Sequence, residues 1–78
     1  MSVVDDQIKK VRVAIATYDR DRAVLDKAIQ REAYPDLLYI FRDSVAESTT
    51  AVVNETEALL TILDQQRITA LADEQPEA

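Results

Sequence analysis

The sequence predicts an all-α fold: a long antiparallel two-helix hairpin that assembles into a homo-oligomeric bundle, in its simplest form a dimeric four-helix bundle. Apolar residues recur every three or four positions along two long segments, which is the helical period. The 78 residues include no glycine, so tight β-hairpin turns are disfavoured. A chain this short buries only about 60% of its unfolded surface. Because it has no cysteine or histidine for disulfides or metal sites, oligomerisation is the expected source of further stability.

The first helix is predicted over about residues 3–33. Its apolar stripe has alternating steps of four and three, the heptad spacing of a helix that packs along one neighbour. The stripe comprises Val4, Ile8, Val11, Ile15, Tyr18, Arg22, Leu25 and Ile29. Only Arg22 interrupts its apolar character. Ser2, with Asp5 three residues later, resembles a capping box and indicates where the helix begins.

A short connection at Tyr34-Pro35-Asp36 separates the two helices. The residue before a proline avoids the helical region of backbone space, whereas proline itself suits the first position of a new helix. Asp36 then lies where the helix dipole favours an anion. These signals favour an antiparallel hairpin over the competing interpretation, a single kinked helix.

The second helix is predicted over about residues 36–71 and carries two neighbouring stripes. The first stripe comprises Leu38, Phe41, Val45, Ser48, Val52, Glu55, Leu59 and Ile62. The second comprises Tyr39, Ala46, Thr49, Val53, Thr56, Leu60 and Leu63. A helix with so wide an apolar surface packs against more than one neighbour. The second helix is therefore expected at the centre of the assembly.

Two segments have sequences that do not favour a continuous helix. Residues 47–56, ESTTAVVNET, are rich in β-branched and capping residues and form helix weakly. A three-helix bundle with a break near 48–54 is therefore the alternative fold. Residues 73–78 are acidic and contain Pro76, so a disordered tail is expected after a single helical domain at 1–72.

Composition argues against several classes of function. With no histidine and no cysteine, the chain lacks the commonest general base and thiolate ligands, and without glycine it has no phosphate-binding loop. We therefore expect no enzymatic activity, metal or cofactor. The net charge of −6 disfavours direct nucleic-acid binding. No apolar run approaches the ~20 residues of a membrane span, and no signal sequence is evident, so a cytoplasmic location is expected.

The excess apolar surface indicates protein binding. In a lone hairpin Leu38 and Phe41 face the first helix, while Tyr39 and Ile40 remain exposed. The candidate oligomer or partner interface comprises Leu38, Tyr39, Ile40, Phe41, Val53, Leu60 and Leu63. We therefore expect a homo-oligomeric interaction module that acts as adaptor, scaffold or inhibitor of another protein.

A polar layer within the stripes supports a second hypothesis. It comprises Tyr18, Arg22, Ser48, Thr49 and Glu55. Such a layer usually fixes the register of a bundle. Alternatively it forms a small anion or nucleotide pocket between protomers, in which Arg22 binds phosphate and Tyr18 provides a stacking surface.

The acidic side of the second helix supports a third hypothesis, a nucleic-acid mimic or regulator. Carboxylates at helical spacing, including Glu47 and Glu57, can imitate a phosphate backbone. The simpler interpretation is a hydrated outer face that keeps the protein in solution.

Overall fold

The structure is a computed structural model, and it describes residues 2–74. Two helices form the fold: α1, Val3–Gln30, and α2, Pro35–Glu74. Gln7 of α1 hydrogen-bonds Glu55 of α2, and Asp21 hydrogen-bonds Ser48, so the two helices run antiparallel. The hairpin confirms the predicted fold class. At its start, the Ser2 side chain accepts a hydrogen bond from the Asp5 N–H, as the capping signal indicated.

A four-residue turn at 31–34 joins the helices, so α1 ends three residues earlier than predicted. The Ala33 N–H donates to the Ala28 carbonyl at 3.0 Å, and the Glu32 N–H donates to the Ile29 carbonyl at 3.1 Å. This pair of bonds defines a Schellman motif, which requires a left-handed residue that is usually glycine. Here Glu32 takes that position, with φ 54°. The alternative of a single kinked helix is wrong.

α2 runs without interruption through 48–54, so the three-helix alternative is also wrong. The hydroxyls of this segment donate to carbonyls one turn earlier instead of capping a new helix. These bonds join Ser48 to Ser44, Thr49 to Val45 and Thr50 to Ala46, at 2.8–3.0 Å. The side chains that weaken local helix propensity are thereby accommodated within one continuous helix.

α2 also extends three residues beyond the predicted end at residue 71. Residues 73 and 74 of the predicted disordered tail belong to the helix, which ends at Glu74. Residues 75–78, the remainder of that predicted tail, lie outside the described residues.

The helices pack along one seam, and α2 contributes the residues predicted for it. Leu38, Phe41, Val45, Ser48, Val52, Glu55, Leu59 and Ile62 are all buried or half-buried. On α1 the seam comprises Val4, Gln7, Val11, Ala14, Tyr18, Asp21, Leu25 and Ala28. Ile15, Arg22 and Ile29, which the heptad stripe included, are exposed. The predicted stripe and the seam share Val4, Val11, Tyr18 and Leu25. At the other four steps the seam residue lies one position earlier than predicted, and these residues are Gln7, Ala14, Asp21 and Ala28.

Hydrogen bonds and small side chains explain this rotation of α1. The Gln7 amide donates to both the carbonyl and the carboxylate of Glu55, each at 2.8 Å. The Ser48 hydroxyl bonds the Asp21 carboxylate. Ala14, between these polar contacts, and Ala28, nearer the turn, are the buried apolar residues of the described chain. The buried residues of the seam are thus small or polar, and Ile15 and Ile29 of α1 lie outside it.

The molecule consequently has a large surface for its size. Its accessible surface is 6404 Å², whereas a compact monomer of 8.8 kDa exposes about 4,800 Å². Its radius of gyration is 19.1 Å, against about 11.5 Å for a compact domain of this length. The extents of 69 × 21 × 13 Å describe a single layer of two helices. Such a layer has two broad faces, neither of which another part of the hairpin covers.

Candidate protein-interaction face

One of the two broad faces is apolar along its length. Ile15 and Ile29 lie two heptads apart on α1, so they project from the same side of the seam. The same spacing relates Tyr39 to Val53 on α2. The faces of the two helices meet, because Ile15 shares a groove with Val53 and Ile29 shares another with Tyr39. We define the broad apolar face by Ile15, Ile29, Tyr39, Val53, Leu60 and Leu63.

These six side chains are between 43% and 59% exposed. Each therefore keeps about half of its apolar surface available to a neighbour. The groove between Ile29 and Tyr39, with a volume of about 340 Å³, is also lined by Leu25, Pro35 and Leu38. Scattered apolar residues are normal on protein surfaces, but a contiguous set of this length indicates an interaction site.

Polar groups on the broad apolar face are few and mutually bonded. The Arg22 guanidinium donates to the Tyr18 hydroxyl at 2.9 Å. The Arg42 guanidinium lies 4.9 Å from the centre of the Tyr39 ring, which is cation–π geometry. The groove beside Ile15 is bordered by Asp19. The face therefore combines an apolar strip with cations held against aromatic side chains.

Arg22 stays charged in this position. Its hydrogen bond with Tyr18, with the carboxylates of Asp26 and Asp19 nearby, raises the pKa of Arg22 above its ordinary value. A charged guanidinium thus occupies the place where the row Ile8, Ile15 and Ile29 would otherwise continue.

The structure divides the predicted interface among three environments. Tyr39 lies with Val53, Leu60 and Leu63 on the broad apolar face. Leu38 and Phe41 are half-buried in the seam, which follows the expectation for a lone hairpin. Ile40 is 100° further around α2 than Tyr39 and lies on the opposite side of the seam.

The sequence interpretation missed the contribution of α1 to this face. Ile15 and Ile29 were expected in the seam but are half exposed beside α2. The signal that could have placed them is the second heptad row of α1, Gln7, Ala14, Asp21 and Ala28, whose small or polar side chains suit close helix packing. Asp21 belongs to the run Asp19-Arg20-Asp21-Arg22, whose alternating charge is typical of a solvated helix surface, yet its side chain is only 20% exposed.

The predicted polar layer is not a single cluster. Tyr18 and Thr49 line one groove, with Arg22 bonded to Tyr18. Glu55 lines a groove on the opposite broad face, with Lys9 and Lys10.

The remaining polar groups of this layer have partners within the hairpin. Ser48 lies within hydrogen-bond distance of the Asp21 carboxylate and the Ser44 carbonyl, and Thr49 donates to the Val45 carbonyl. Of these contacts only that of Ser48 with Asp21 joins the two helices, and it favours the register-fixing interpretation of the layer.

Comparison with known proteins adds no further assignment. Across the part of the chain that the structure describes, neither helix is long and apolar enough to cross a membrane. No protein-family model matches the chain, and no curated protein or solved structure does so either.

Proposed function

We propose that this protein is a self-associating helical module that binds another protein as adaptor, scaffold or inhibitor. In this proposal two hairpins pack through their broad apolar faces into a four-helix bundle. The surfaces of this dimer that remain exposed are then available to bind the partner protein.

The observation that carries the proposal is the distribution of large apolar side chains. Among the described residues the seam buries Ala14 and Ala28, whereas Ile15 and Ile29 lie half exposed on the face that also carries Tyr39 and Leu60. Apolar burial is the main favourable term in folding. A hairpin that leaves Ile15, Ile29 and Leu60 half exposed gains the rest of that term only when a second layer covers them.

The size of the face supports a second copy as its occupant. A specific interface buries about 800 Å² on each partner, and the broad side of the hairpin on which this face lies measures 69 × 21 Å. Burying an aliphatic side chain contributes ~1.5–3 kcal/mol. The six residues still have about half of that burial to gain, and a symmetric dimer contains each of them twice. This gain is comparable with the ~4–15 kcal/mol that association costs.

The test is the molar mass of the full chain in solution, measured by light scattering from about 5 µM to about 1 mM, where mass action populates a weak dimer. We expect a mass of twice 8.8 kDa at the upper concentrations. Val53→Asp places a carboxylate on the broad apolar face and should return the protein to a monomer. Asn54→Asp introduces the same charge one residue away on the outer side of α2 and should leave the dimer intact. A monomer at every concentration would refute the proposal.

A further inference from the structure

We infer that a groove beside the turn, on the broad face opposite the apolar one, is the docking site for an acidic amphipathic helix of a partner protein. This inference rests on the proposed function, and it specifies where the second protein binds. We call this site the turn groove and define it by Val24, Lys27, Ala28, Arg31, Ala33 and Phe41, which line a volume of about 280 Å³.

Helix geometry places the turn groove away from the self-association face. Val24, Lys27 and Arg31 are three or four residues apart, so they form one side of α1. Leu25 and Ile29, on the other side of the seam, line the groove that belongs to the broad apolar face. A second hairpin packed on the broad apolar face therefore leaves the turn groove open.

The floor of the turn groove is apolar, and more apolar surface continues from it along α2. Ala28, Ala33 and Phe41 provide the floor. Leu37, four residues before Phe41, is 44% exposed, and Ile40 is 57% exposed. Leu37 and Ile40 belong to an uninterrupted apolar run at 37–41, and neither of them is part of the seam or of the broad apolar face. A partner with apolar anchors one helical turn apart fits such a surface.

The rim of the turn groove carries positive charge without an internal counterion. Lys27 and Arg31 make no side-chain hydrogen bond or ion pair with any of residues 2–72. Asp43, further along α2, is bonded to Arg42 at 3.3 Å. In a chain of net charge −6, two unpaired cations beside an apolar groove favour a partner of the opposite sign. Carboxylates that flank the apolar anchors of the partner helix would complete these pairs.

The test uses a synthetic amphipathic helix of about 18 residues, or five turns, with leucine anchors flanked by glutamates. The matched probe carries lysine at every glutamate position. Both are titrated into the isotope-labelled full chain. We expect the acidic peptide to bind about tenfold more tightly and to shift the amide resonances of Val24, Ala28 and Phe41. Equal binding of the two peptides, or shifts confined to Ile15 and Val53, would overturn the inference.

A second experiment reverses the charge at the rim of the turn groove. Lys27→Glu/Arg31→Glu should exchange the preference, so that the lysine peptide binds more tightly than the glutamate peptide. Lys10→Glu/Arg12→Glu makes the same change in net charge elsewhere on α1 and should keep the original preference. An unchanged preference in the first variant would show that the turn groove is not the site.

The molar mass of the Lys27→Glu/Arg31→Glu variant separates this inference from the proposed function. An unchanged dimer with an exchanged peptide preference supports both. A monomeric wild-type protein that still selects the acidic peptide at the turn groove would refute self-association alone. Shifts at Val24, Ala28 and Phe41 when the labelled protein is concentrated without any peptide would identify a second copy as the occupant and overturn the assignment to a partner.

Discussion

Leu60→Ala is the most direct test of the broad apolar face. Leu60 is 59% exposed in the hairpin, the largest value among the residues that define the face. Full burial of a leucine contributes ~1.5–3 kcal/mol. The dimer buries the part of Leu60 that is exposed in the hairpin, so truncation to alanine removes ~1 kcal/mol of association free energy per side chain. A symmetric dimer contains Leu60 twice and loses ~2 kcal/mol. At 1.4 kcal/mol per factor of ten, the dissociation constant should rise about 30-fold.

Sedimentation equilibrium measures this constant for the wild-type and variant chains. Leu37→Ala is the matched control, because Leu37 is also an exposed leucine of α2 but lies on the opposite side of the seam. Both substitutions change helix propensity equally, so a difference between them reports the face itself. The reasoning is refuted if Leu60→Ala changes the constant less than threefold, or if Leu37→Ala weakens association as much.

Three further results are expected. Glu32→Gly should stabilise the protein by ~1 kcal/mol in chemical denaturation, because glycine adopts the left-handed position of Glu32 without a steric penalty, and no gain would contradict the turn geometry. Arg22→Ile should strengthen self-association by continuing the isoleucine row of α1, as light scattering at low concentration would show; weaker association would mean that Arg22 makes a contact between protomers. A double-mutant cycle of Gln7→Ala and Glu55→Ala should give a coupling free energy of ~1–2 kcal/mol in unfolding, and additive effects would contradict the hydrogen bond between the Gln7 amide and the Glu55 carboxylate.

The sequence was sufficient for the architecture because the signals for it are local. Heptad spacing predicted both helices, and the Tyr34-Pro35 signal placed the start of the second helix at about residue 36, one residue after Pro35, where α2 begins. The unbroken course of α2 was harder to predict, since Ser48 and Thr50 favour caps as readily as helix interiors. Their bonds to carbonyls one turn earlier decided the outcome, and propensity alone does not report such bonds.

The rotation of α1 could not be predicted from hydrophobic periodicity alone. Periodicity identifies a stripe about 100° wide, and within it Ile15 is a better core residue than Ala14 by hydrophobicity alone. The choice depends on long-range contacts, namely Gln7 with Glu55 and Asp21 with Ser48. With these contacts in place, Ile15 and Ile29 are exposed, and the candidate face is formed by two helices instead of one.

The hairpin places its turn and its helix ends at opposite poles of a rod 69 Å long, since Val3 lies beside Gln66 and Thr69. Two rods joined side by side can therefore point the same way or opposite ways, and the two arrangements differ in the separation of their turns. The chain contains no cysteine, so a single cysteine in place of the exposed Tyr34 accepts a spin label without competition. Distances between such labels, measured by electron paramagnetic resonance, would distinguish a dimer whose two turns lie together from one whose turns are separated by most of the length of the rod. In the first arrangement the dimer presents both turns to one target, and in the second it presents them to two.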